Sequence, residues 1–253
     1  LFIQTGIIQI GVDRQSAKVQ LRPLLILLAS IAGFVGIAWG SFSIKEYRAL
    51  RQPLPTPLKT LWADKVKADN VHQEYPRPQL TRESWLNLNG NWDYALTGQR
   101  SGEPKTFTGK ILVPFPIESA LSGVALRADT RKLWYHRTFT LPENWKGQHI
   151  LLHFGAVDWE AKVWVNDKEI GSHQGGYDSF SFDITDALNS EGEQKLVVSV
   201  IDPSDSGTQP RGKQVREPEG IWYRSTTGIW QTVWLEPVAE THIANLKMET
   251  DID

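Results

Sequence analysis

The chain has 253 residues, 40% of them hydrophobic and 22% charged, a globular balance that excludes a mainly disordered polypeptide. Its 27 basic and 29 acidic residues leave a formal net charge of -2, without the basic excess that non-specific nucleic-acid binding requires. It has no cysteine, so disulfides, thiolate metal sites and thiol nucleophiles are excluded, and its 11 tryptophans point to a large aromatic core, to carbohydrate-facing platforms, or to both.

The chain opens on Leu1 rather than methionine. Residues 24–39 (LLILLASIAGFVGIAW) form an uncharged apolar run after Arg14, Lys18 and Arg22, and small residues follow at Ala38 and Gly40. This is the pattern of a secretory signal, slightly short of the about 20 residues that a spanning helix needs. Residues 1–42 are therefore predicted to be a leader whose apolar run forms a helix, either cleaved as a signal peptide or kept as a membrane anchor. Both alternatives imply export to the periplasm or the exterior. Residues 43–59 mix charge with prolines and read as a linker.

From Trp62 onward the texture is that of short strands. Residues 110–115, 133–140, 149–154, 161–166, 195–201 and 231–235 are rich in β-branched and aromatic side chains. Turn residues separate them at 167–168, 175–176, 189–192 and 203–207. This pattern predicts an all-β sandwich or barrel. In Ala161–Val163–Val165 the small apolar residues alternate with Lys162 and Trp164, as in a strand covering a core. Asn166–Asp167 is expected to start a tight hairpin whose second strand ends at Gly171, and Gly175–Gly176 to permit close backbone approach. Residues 183–188 suggest one helical turn. Trp92, Trp134, Trp164 and Trp234 are expected in the sandwich core; Trp159, Tyr177, Trp222 and Trp230 fall at strand ends or in loops.

Nucleotide, zinc-protease and serine-hydrolase motifs are absent. His149 and His153 lie on one strand face about 13 Å apart, too far for a shared metal. No metal site and no cofactor is implied. Among the carboxylates, Asp183 and Asp186 read as turn and capping residues, whereas Asp158 beside Trp159 has the pairing that holds a sugar: a polar edge to the acid, an apolar face to the indole.

Four segments in order resemble the N-terminal sugar-binding domain of glycoside hydrolase family 2, the family of β-galactosidases, β-glucuronidases and β-mannosidases. They are EYPRPQLTRESWLNLNGNWDYAL (74–96), ILVPFPIESALSG (111–123), LWYHRTF through FSFDIT (133–185) and GIWYRSTTGIWQTVWLEPV (220–238). The resemblance implies a galactose-binding-like jelly-roll β-sandwich over residues 60–238, with 239–253 starting an immunoglobulin-like domain. A (β/α)₈ barrel of roughly 250 further residues would follow and carry two catalytic glutamates. The family's acid/base glutamate follows an asparagine, and no Asn-Glu dipeptide occurs here. The chain is thus expected to be an inactive N-terminal part of an exported retaining β-glycosidase with a carbohydrate substrate; the alternative is a stand-alone carbohydrate-binding or lectin-like module. By the resemblance, substrate-binding positions are Glu118, Ser119, Trp222, Tyr223 and Arg224, joined by Asp158 and Trp159. Related galactosidases and glucuronidases carry an aspartate six residues before the glycine matching Gly228, where this chain has Trp222, and related galactosidases an asparagine where it has Ser119. An aromatic at 222 offers a stacking face in place of a carboxylate.

Overall fold

The computed structural model describes residues 59–129 and 131–251, all within the compact unit Gln52–Asp253. The expected leader helix lies outside the described residues. Within them the protein is all-β, with short 3₁₀ turns and no longer helix. In chain order the strands are β1 (Leu86–Asn87), β2 (Gly90–Thr97), β3 (Gly109–Val113), β4 (Lys132–Phe139), β5 (His149–Phe154), β6 (Val157–Asp158) and β7 (Glu160–Val165). They continue with β8 (Lys168–Gln174), β9 (Phe180–Asp183), β10 (Gln194–Ile201), β11 (Gln214–Val215), β12 (Tyr223–Arg224), β13 (Gly228–Ile229) and β14 (Val233–Val238).

Two antiparallel sheets face each other. One has six strands in the order β3-β2-β4-β10-β7-β8, the other four in the order β1-β14-β5-β9. Side chains at every second position of the central strands enter one shared core. Trp92, Leu133, Tyr135, Val163 and Val198 come from the larger sheet and Ile150, Leu152, Phe154, Val233 and Leu235 from the smaller. Trp92 meets Tyr135 edge-to-face with ring centroids 6.2 Å apart, a favoured aromatic geometry.

Of the tryptophans expected in that core, only Trp92 is there. Trp134 and Trp164 stack on the outer face of the six-stranded sheet, 5.6 Å between centroids, in a small cluster with Ala95 and Val197. Trp234 lies on the outer face of the smaller sheet, stacked on His153. The period-2 alternation decides the face and residue size does not. Leu133 and Tyr135 point inward, so Trp134 between them points out.

The Asn166–Asp167 turn has positive φ at both residues (48° and 64°), as a two-residue hairpin requires. The strand after it does not end at Gly171 but runs on to Gln174. Gly171 is instead a point of contact with the neighbouring layer: a Cβ there would lie 2.6 Å from Phe182 Cε1. The turn expected over residues 183–188 is the 3₁₀ turn Thr185–Ala187, with Asp183 Oδ1 accepting from the Thr185 amide. Residues 242–251 run without strand pairing.

The outer face of β14 is covered by the segment that precedes β1. Glu236, fully buried, accepts from Arg77 Nη2 (2.7 Å), Arg82 Nε (2.8 Å), Trp234 Nε1 (2.7 Å) and the Tyr75 hydroxyl. His153 Nε2 stands 3.4 Å away. These partners outweigh burial and hold Glu236 down at about 2. Arg82 also donates to the Ile243 carbonyl (2.8 Å), tying the chain that leaves the sandwich to the same carboxylate.

Candidate functional site

The predicted site residues gather where β10 ends. There the chain leaves the sheet at Asp202 and returns only at Thr227, just before β13. The sequence marks a turn at 203–207, but the excursion is far longer and builds its own small parallel pair, β11 with β12. Asp205 braces it from within, accepting from Arg216 Nε at 2.6 Å and from the Arg216 amide at 3.1 Å. Arg127 on the sandwich pairs with Glu217.

Three buried carboxyl groups lie beneath this loop. Glu118, in the turn after β3, accepts the Thr227 amide on Oε2 (2.9 Å), while its Oε1 is buried without a partner. Asp202 accepts from Thr227 Oγ1 (2.8 Å) and from the Ser204 amide (2.6 Å). Asp158, on β6, accepts from Gln214 Nε2 (3.0 Å). Gln214 is the connector: its Oε1 takes the Thr226 amide, and its Nε2 also reaches the Tyr177 hydroxyl at 3.2 Å.

Burial raises Glu118 to about 8, with the Asp202 carboxyl adding to the rise and the Thr227 hydrogen bonds opposing it. Burial, and then Asp202, raises Asp158 to about 7. Asp202 itself is raised, burial again being the main cause. None of the three has a salt-bridge partner among the described residues. With no cation at hand, desolvation favours the neutral acids.

Close backbone packing shapes the floor. A Cβ on Gly176 would sit 2.7 Å from Asp158 Oδ1, and one on Gly228, where φ is +96°, would sit 2.0 Å from the Tyr135 hydroxyl. That hydroxyl accepts the Ile229 amide (3.2 Å). The Asp158–Trp159 peptide is cis, and the Trp159 carbonyl accepts the Gly175 amide.

The outer surface of the loop is aromatic. Ile221, Trp222 and Tyr223 are 68%, 42% and 66% exposed, and Tyr177 is exposed beside them. The Arg211 guanidinium lies 5.9 Å from the Trp222 ring and the Lys213 ammonium 6.0 Å from the Tyr223 ring. Trp230 backs Tyr177 edge-on and donates to the Gly176 carbonyl. The predicted residues therefore divide. Trp222 and Tyr223 face solvent, and Arg224 is half-buried on β12. Ser119 caps the 3₁₀ turn Ala120–Ser122, and Trp159 is half-buried. Glu118 and Asp158 point inward and hold the loop from below. A separate groove of about 660 Å³ at the other end of β10, lined in part by Trp145, Gln148 and Asn189, includes none of them. Among the described residues no group of three or more histidines, aspartates or glutamates could hold a metal ion.

The family model described as "Glycosyl hydrolases family 2, sugar binding domain" matches residues 105–236, more than half of the chain. The chain belongs to glycosyl hydrolase family 2. Among relatives of this family 2 domain, a β-galactosidase of Thermoanaerobacter pseudethanolicus is 33% identical over 120 residues, 47% of this chain and 15% of that protein. A β-glucuronidase of Paenibacillus borealis is 27% identical over 197 residues, 70% of this chain and 33% of that protein. The solved structure of a Lactobacillus rhamnosus β-glucuronidase superposes with a TM-score of 0.52 at 26% identity, over 64% of this chain and 30% of that one. This family 2 chain thus spans a third or less of the length of these relatives, which are larger proteins.

Asp202, Gln214 and Thr227 escape the sequence reading. Asp202 carried one signal, an acid directly after the mostly apolar run Leu196–Ile201. Gln214 carried none, because its role comes from reaching Asp158, far away in sequence.

Proposed function

We propose that this domain is the N-terminal sugar-binding part of an exported retaining β-glycosidase, a jelly roll followed by an immunoglobulin-like domain and a catalytic barrel. In this reading residues 1–42 carry the export signal or anchor, 43–59 link it to the sandwich, and the two catalytic glutamates belong to the barrel. The aromatic loop surface supports the reading most directly. Trp222 and Tyr223 are large, exposed and supported from beneath by a buried polar network, which suits a rigid platform for the apolar face of a pyranose. In this reading Ser119, Arg224 and Trp159 supply secondary contacts to the sugar, and Glu118 and Asp158 serve by holding the loop. The partners are a carbohydrate substrate and the downstream domains, with the membrane reached only through the leader.

The test is Trp222→Ala in the full-length enzyme. Loss of a stacking contact worth about 1 kcal/mol should lower kcat/KM by roughly fivefold at an unchanged melting temperature. Normal kinetics with a lowered melting temperature would instead make Trp222 an interdomain seal and remove it from the site.

A further inference from the structure

We propose that the carboxyl groups of Glu118, Asp158 and Asp202 form a pH-sensitive clasp that positions the loop 203–226 against the end of the sandwich. The three are positioning residues. Each sits on a different rigid support: the turn after β3, strand β6 and the end of β10. Each is bonded to the loop itself or to the residue where the loop rejoins the sheet. Asp202 binds Ser204 at the start of the loop, Asp158 binds Gln214 at its middle, and Glu118 and Asp202 share Thr227 at its end.

The surroundings contain acids and neutral dipoles. Glu118 faces Thr227 and Asp202, and its carboxyl acts on the Tyr135 hydroxyl of β4. Asp158 faces Gln214, Asp202 and the Gly176 backbone. Asp202 faces Ser204, Thr227 and Asp205, and Asp205 is already neutralised by Arg216. Arg127, the other cation bracing the loop, is taken by Asp129 and Glu217. Charging a second and third carboxylate in this space puts like charges in a site of low dielectric. Moving the loop away and admitting water relieves that repulsion. The partnerless Oε1 of Glu118 fits a protonated carboxyl, because a neutral acid buries an oxygen at lower cost than a carboxylate does. The clasp is therefore closed when protonated and loosens as the pH rises.

The inference does not depend on a sugar ligand, so it can fail while the proposed function stands, and the converse also holds. Amide hydrogen exchange of the whole chain, corrected for intrinsic rates, should show protection of residues 203–226 falling by about tenfold or more between pH 6 and pH 9 while β5 keeps its protection. The Glu118→Gln/Asp158→Asn double variant keeps the shapes and leaves Asp202 as the one clasp group that can ionise, so the repulsion between carboxylates is gone and its loop protection should change by much less than tenfold over the same range. Loop protection unchanged across that range in the unmodified chain, or an equal loss in the double variant, would overturn the clasp. Should the double variant not fold, carboxyl ¹³C shifts of the unmodified chain decide the matter. Midpoints for Glu118 and Asp158 near neutrality or above support the clasp, and midpoints in the ordinary carboxylate range overturn it.

Discussion

Glu236 and the Glu118–Asp158–Asp202 group are carboxyls withdrawn from water on the same sandwich and stabilised in opposite ways. Glu236 is surrounded by donors and cations: two arginines, a tyrosine, a tryptophan and a histidine. It stays charged and pins the segment 75–82 across β14. The other three have backbone amides, a threonine, a serine and a glutamine, and no cation. Burial then wins over attraction, and they hold their loop best as neutral acids. The same residue type thus makes a permanent tie in one region and a titratable one in the other. The number of hydrogen-bond donors and compensating charges supplied by the surrounding elements makes the difference.

The largest effect should come from breaking the charged tie. Glu236→Ala strands Arg77 and Arg82 beside a buried face, and loss of one partner from a buried ionic group costs about 3–5 kcal/mol. Urea denaturation should show a midpoint lowered accordingly. A loss below about 1 kcal/mol, the range of exposed pairs, would mean that the arginines simply turn to solvent.

The two regions contribute to the pH dependence of stability with opposite signs. Glu236 is lowered, so its contribution is present above the ordinary glutamate value and is lost as pH falls towards about 2. Glu118 is raised, so its contribution is full below the ordinary value and is lost as pH rises through about 8. Asp158 adds to that loss at about 7. Thermal melts across the pH range should therefore show a maximum in the mildly acidic region. A melting temperature that keeps rising to pH 8 would contradict the neutral-acid reading.

The smallest expected effect is that of Glu118→Gln in mild acid, where the native Glu118 carboxyl is already neutral. It should leave stability nearly unchanged in mild acid, within about 0.5 kcal/mol, and raise it above that of the unmodified chain at pH 8 and beyond. The difference between the two melting curves, plotted against pH, isolates the contribution of this one group.

Sequence alone determined the strand texture, the hairpin at Asn166–Asp167 and the alternation that buries Ala161, Val163 and Val165. These follow from local rules, turn chemistry and period 2, that need no knowledge of distant residues. Its ordered motifs also carried the family. It did not reveal β9, whose four residues pair with β5. Nor did it place Trp134, Trp164 and Trp234 on outer faces, because a tryptophan's size does not say which layer will cover it. At the candidate site it marked Trp222 and Tyr223, which are exposed, and Glu118 and Asp158, which are not. The burial of the latter two beside Asp202, and their bonds to Thr227 and Gln214, follow from contacts between residues far apart in the chain. The charge state of a carboxyl depends on what the fold brings within a few ångströms of it, and Glu236 and Glu118 are the same residue until the fold supplies a histidine, a tyrosine, a tryptophan and two arginines to one and withholds them from the other.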